Sequence, residues 1–118
     1  MSNFLDRKEA EPKRVVLLDE RTEGNSRHVS GFYAESGSLL ISGQDIGRQV
    51  EAAFQHVEYE WSYTIEPSAL ARLAGALGVR ENLLGAIEVW FKSVPAHDFK
   101  AFLVANEIQY EFWCRIGN

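Results

Sequence analysis

The sequence predicts an α+β domain, a largely antiparallel sheet of about five strands with helices gathered on one face, in the order β-β-β-α-β-α-α-α-β. Three observations carry this. His56–Ile65, H-V-E-Y-E-W-S-Y-T-I, alternates so that Val57, Tyr59, Trp61, Tyr63 and Ile65 share one face of an extended chain, while His56, Glu58, Glu60, Ser62 and Thr64 share the other. Apolar residues at helical spacing lie on both sides of that stretch. Ile108–Ile116 then alternates again, so the chain returns to the sheet after its helices.

Taken in order, Met1–Lys13 is mixed in charge, carries Pro12 and has no sustained period, and is expected to be a flexible leader to a single domain over residues 14–118. Arg14–Asp19 contains V-V-L-L, a short apolar run suited to a buried strand. The polar stretch Glu20–Arg27 reads as a loop. His28–Ala34 and Ser38–Ser42 read as two strands joined at Glu35-Ser36-Gly37, which completes a three-stranded meander.

Ile46, Val50, Ala53 and Phe54 then recur at helical spacing, and Asp45 is placed as an N-cap, so a short helix is expected over Asp45–Gln55. Pro67 after Glu66 marks a helix start, since its missing N–H would have been unpaired there in any case. Leu70, Leu73, Ala74 and Leu77 form the stripe of that helix and Gly78 its stop. A further helix over Arg80–Lys92 gathers Leu83, Leu84, Ile87, Trp90 and Phe91. Pro95 opens a last one carrying Phe99, Phe102 and Leu103, which Asn106 is expected to close in a left-handed conformation. The final strand puts Ile108, Tyr110, Phe112, Cys114 and Ile116 on one face and Gln109, Glu111, Trp113 and Arg115 on the other.

A chain of 118 residues can bury one core without staples. Cys114 is the single cysteine, which excludes an internal disulfide framework and any multi-cysteine zinc or iron–sulfur site. The first residues include no apolar signal-peptide core, and no segment has the apolar length of a membrane span, so a cytoplasmic location is expected. Charge is unevenly distributed. From Glu35 to Glu66 there are six acids (Glu35, Asp45, Glu51, Glu58, Glu60, Glu66) against Arg48 alone, whereas the flanking thirds balance, so the middle of the chain holds the whole formal net charge of −5. Such a surface repels phosphate backbones and favours a basic protein over nucleic acid or a membrane. A solvated sheet face kept acidic for solubility explains the same charge.

Motifs for common chemistry are absent. There is no phosphate-binding G-x-x-x-x-G-K-[ST] loop, no G-x-G-x-x-G, no H-E-x-x-H, no C-x-x-C and no G-x-S-x-G. Gly43-Gln44-Asp45-Ile46-Gly47 resembles an anion-holding turn, but Asp45 would repel an anion, and a strand-to-helix turn is the simpler expectation. His28 and His56 would form a metal site with Glu58 or Glu60 if neighbouring strands brought them together; scattered surface histidines account for the same pattern. Cys114 falls on the apolar face, where a buried thiol is inert. No cofactor, metal or catalytic residue is expected. Tyr59, Trp61 and Tyr63 read as core residues beneath the helices. Trp113 falls on the polar face between Glu111 and Arg115, the composition of an interaction anchor.

The runs S-G-Q-D-I-G and Y-E-W-S-Y-T-I-E-P and the ending I-Q-Y-E-F-W-C-R-I-G-N resemble a family of small uncharacterised bacterial proteins, over residues 14–118. The most specific part is the closing aromatic-Glu-Phe-Trp-x-Arg motif, here Tyr110, Glu111, Phe112, Trp113 and Arg115. Family members usually have serine at the position of Cys114, a departure that weighs further against a catalytic thiol. The resemblance implies no enzymatic activity. In general character such proteins are similar to the immunity proteins that neutralise bacterial toxins. The leading expectation is therefore a non-enzymatic protein-binding module of immunity or antitoxin type, meeting a basic protein partner through Glu58, Glu60, Glu111, Trp113 and Arg115. The alternatives are a small metal-binding protein or enzyme built on His28, His56 and nearby glutamates, and a subunit whose edge strand pairs with itself in a homodimer.

Overall fold

In the computed structural model, which describes residues 14–54, 57–93 and 98–117, the chain runs through β1 (Val15–Thr22), β2 (Asn25–Tyr33), β3 (Leu39–Gly47), α1 (Arg48–Phe54) and β4 (Glu58–Ile65). There follow α2 (Pro67–Leu77), α3 (Leu83–Ser93), α4 (Phe99–Ala105) and β5 (Glu111–Gly117). The α+β class and the order of elements are as the sequence predicts. The leader Met1–Lys13, His56, His97 and the expected helix start at Pro95 lie outside the described residues.

The strands form one open sheet in the order β1-β2-β3-β4-β5, each antiparallel to the next. Register separates its two faces. Leu39, Ile41 and Gly43 of β3 stand opposite Ile65, Tyr63 and Trp61 of β4 on the side the helices cover, and Leu40, Ser42 and Gln44 stand opposite Thr64, Ser62 and Glu60 on the open side. A bulge in β1 at Leu17 lets two consecutive leucines reach the covered side, where Leu17 is fully buried and Leu18 packs against the core.

The core joins this face to one side of each long helix. Leu73 of α2, Ile87 and Phe91 of α3, and Phe99 and Leu103 of α4 are each no more than 1% exposed. Phe99 meets Tyr63 edge-on at 5.3 Å and Phe91 at 5.2 Å between ring centroids, tying sheet to helices. Burying each such side chain contributes roughly 1.5–3 kcal/mol. Helix α2 ends as expected, Gly78 taking the left-handed conformation at φ 75° with its N–H bonded back to the helix.

Several boundaries differ from expectation, each for a local reason. The stretch expected to be a loop over Glu20–Arg27 is strand on both sides of a tight turn, because Asp19–Arg21 lies at an exposed edge that needs no apolar residues. Strand β3 continues to Gly47, so Asp45 is a strand residue rather than a helix cap, and α1 begins at Arg48. Gly43 is likewise not a turn residue. The Trp61 indole lies across it, and a Cβ there would sit 2.0 Å from the ring, a clash that only glycine avoids. This also corrects the anion-turn alternative. At the end of α4 the left-handed residue is Glu107, φ 56°, while Asn106 closes the helix by donating from Nδ2 to the Phe102 carbonyl at 2.8 Å.

Candidate functional site

The open face is built from cross-strand rows. One runs through all five strands, with Asp19 opposite His28, His28 opposite Gln44, Gln44 opposite Glu60 and Glu60 opposite Arg115. The next runs Val16, Ser30, Ser42, Ser62 and Trp113. Beyond it Phe32, Leu40, Thr64 and Glu111 align. The three serines are the smallest side chains of the face and lie between two rows of longer ones. Trp113, 54% exposed, stands at one end of the serine row, and the Arg14 guanidinium at the other, donating to Ser30 Oγ at 2.9 Å and lying 4.4 Å from the Phe32 ring centroid.

All five expected binding residues fall on this face. Glu58 and Glu60 project from β4, and Glu111, Trp113 and Arg115 from β5. Their electrostatics are less uniform than the sequence suggests. Arg115 Nε lies 3.0 Å from Glu60 Oε1, a largely exposed ion pair, and Gln44 donates to Glu58. Glu111 has no ion-pair partner among the described residues. The β4–β5 half therefore holds three carboxylates against one guanidinium. Asp45, counted with the acidic third of the sequence, faces the opposite side.

Strand β5 is the sheet edge, and this corrects the expectation for Cys114. The helices do not extend over the outer part of that strand, so Phe112 and Ile116 are 47% and 41% exposed and the thiol is exposed instead of buried. Cys114 stands opposite Trp61 and close to Tyr59, whose phenol is pushed up first by burial and then by the thiol, with Tyr63 and Asp45 adding to the effect. The expected burial of Trp61 and Tyr63 holds at 7% and 8% exposed; Tyr59 is half-buried. Burial, followed by proximity to Tyr110, also raises the Tyr63 phenol.

The metal alternative finds no assembled ligand set here. His28 Nδ1 lies 3.7 Å from Asp19 Oδ1, His56 is outside the described residues, and among those described no three metal-ligating side chains converge. Sequence reasoning placed Ser62 on this face with Glu58 and Glu60 but missed Ser42 and Gln44. The alternation Leu40, Ser42, Gln44, Ile46 marks them, once β3 is allowed to continue beyond Ser42.

Fold and face together define an α+β domain with one sheet face largely covered by helices and the other left open by the described residues, ending in an exposed aromatic edge strand. No family model, curated protein or solved structure matches the chain. Among the described residues no helix is long and apolar enough to cross a membrane.

Proposed function

We propose that the chain is a non-enzymatic protein-binding module of immunity or antitoxin type, whose docking surface is the β4–β5 half of the open face and whose partner presents a basic patch. The observation that carries this is Trp113, more than half exposed on an uncovered sheet face beside a carboxylate, Glu111, with no ion-pair partner among the described residues. A large rigid ring rimmed by charge supplies apolar contact area at low entropic cost, and the surrounding carboxylates steer a basic surface toward it. The Glu60–Arg115 pair does not remove this attraction, because an exposed pair is weakly held and can exchange for a partner's cation.

The test is capture of the tagged chain's partner from a lysate of its host, followed by binding measurements on the purified pair. Trp113→Ala is expected to weaken binding by about thirtyfold or more, taking about 2 kcal/mol as the threshold of an anchoring residue. Glu111→Lys is expected to slow association, and rising salt to slow the unmodified pair. Association that ignores salt and survives both substitutions overturns the reading.

A second reading has its own observation. Phe112, Trp113 and Ile116 make β5 an exposed apolar edge, open to pairing with a second copy. Antiparallel pairing centred on Trp113 sets Glu111 of each copy opposite Arg115 of the other. Light scattering at high concentration distinguishes the two, since a monomer removes this one.

A further inference from the structure

The covered side of the sheet is not covered to its end. A hollow of about 390 Å³ opens there, lined by Arg27, Asp45, Tyr59, Trp61, Tyr63, Phe112 and, from α4, Lys100. Its floor follows from two sequence choices. Gly43 leaves room for the Trp61 indole to lie across the strand, and Tyr63 meets Trp61 edge-on at 5.7 Å and Phe112 at 5.0 Å between centroids, so successive rings form an aromatic floor.

The polar side is organised as well. Arg27 donates from Nε and Nη2 to the two carboxylate oxygens of Asp45, at 2.9 and 3.1 Å, with the side chains 29% and 14% exposed. This bidentate pair fixes the guanidinium and consumes the carboxylate while leaving the Nη1 donors without a partner among the described residues. Lys100 has no ion-pair partner among the described residues. Two cations against one committed anion leave the hollow with a positive excess, on a chain whose formal net charge is −5. Aromatic walls with a few convergent donors, in a volume of this size, are the features of a small-molecule pocket.

We propose that this hollow binds a small planar aromatic acid, its ring against Trp61, Tyr63 and Phe112 and its anionic group held by Lys100 and the uncommitted donors of Arg27. Desolvation favours the match, because a carboxylate in a half-buried site is held only where cations replace its water, and a neutral ring of the same shape gains nothing from them. The site lies on the opposite face from the partner-binding surface and does not depend on it.

The probes are 2-naphthoate and its neutral counterpart 2-naphthalenemethanol, titrated into the isotopically labelled full chain and followed by nuclear magnetic resonance. The three tryptophans give three indole N–H signals, of which Trp61 is in the hollow and Trp113 on the far face. Saturable shifts at Trp61, Arg27 and Phe112 are expected, Trp113 staying still, with the acid bound about tenfold more tightly than the alcohol, as for one charge-assisted contact. Lys100→Gln, at an exposed position, should reduce that preference severalfold, leaving the part that Arg27 supplies, and Phe112→Ala should weaken both probes alike. Trp113→Ala should change neither, which separates a failure here from a failure of the docking face. The inference is overturned by shifts centred on Trp113, by no saturable shift at millimolar probe, or by a preference for the acid that persists undiminished in Lys100→Gln with an otherwise unchanged spectrum.

Discussion

The two faces of this sheet share every backbone hydrogen bond and differ in almost everything else. On the covered side, neighbouring positions of β3 and β4 hold Leu39, Ile41, Trp61, Tyr63 and Ile65, all buried. On the open side the residues between them are Leu40, Ser42, Ser62 and Thr64, all half-exposed. One strand thus serves two solvents, and the difference teaches where stability and where recognition reside. Burial of rings and branched chains specifies the fold from one side, while on the other, side chains can be exchanged with little effect on folding and are available for contact.

The sharpest way to break that comparison uses two adjacent residues. Ile41 is fully buried, and Ile41→Ala is expected to cost about 2–5 kcal/mol, whereas Ser42→Ala beside it should cost about 0.5 kcal/mol or less. Chemical denaturation of both variants checks this; similar losses would mean that the open face is itself packed. Gly43→Ala comes next. Its new methyl meets the Trp61 ring, the indole must move, and destabilisation of up to about 3 kcal/mol is expected. A red shift of tryptophan emission should accompany it as Trp61 leaves its place.

A third contrast sets one type of ion pair on both faces. Arg27→Ala strands Asp45 in a largely buried position and is expected to cost about 1.5 kcal/mol. Arg115→Ala removes an exposed partner of Glu60, and its cost should stay below about 1 kcal/mol. Melting curves in low and high salt sharpen the point, because only the exposed pair should be screened. If Arg27→Ala proves as harmless as Arg115→Ala, the hollow is wetter than its geometry implies.

How much of this was legible beforehand follows the same division. The period of two in His56–Ile65 and the helical stripes around Leu73, Ile87 and Phe99 are statements about the covered face, and they located its core. The order of elements followed from them. What misled was polar sequence. Asp45-Ile46-Gly47-Arg48-Gln49-Val50 satisfies a helical spacing as well as a strand's, and only pairing with Arg27, 18 residues away, decides for the strand. Glu20–Thr22 carries no apolar signal because β1 is an exposed edge strand, and Asn25–Arg27 carries none although β2 is paired on both sides. Cys114 shows the converse limit: alternation placed it on the apolar side correctly, but which part of a strand the helices cover depends on where they end in space. The five residues expected on the open face share it because alternation settles a face, whereas the hollow depends on register across four strands and one helix.

The smallest effect is one of pH, and it too belongs to one face. Tyr33, Tyr59 and Tyr63 lie on the covered side, and burial raises each phenol above its ordinary value of 10.0. The folded chain therefore keeps these protons at pH values where the unfolded chain has lost them. Below the unfolded value both states are protonated and the contribution is complete; above it the folded state binds more protons, so stability falls as pH rises through the raised values. Melting temperature should owe no pH dependence to these groups between neutrality and about pH 9, and should decline beyond about pH 10. The decline should be modest because Tyr33 and Tyr59 keep partial access to water and only Tyr63 is buried. Tyr63→Phe keeps the ring contacts with Phe99 and Phe112 and removes one titrating hydroxyl, so its alkaline slope should be shallower than that of the parent chain. An unchanged slope in that variant would place the alkaline loss elsewhere, and the covered face would then have no part in it.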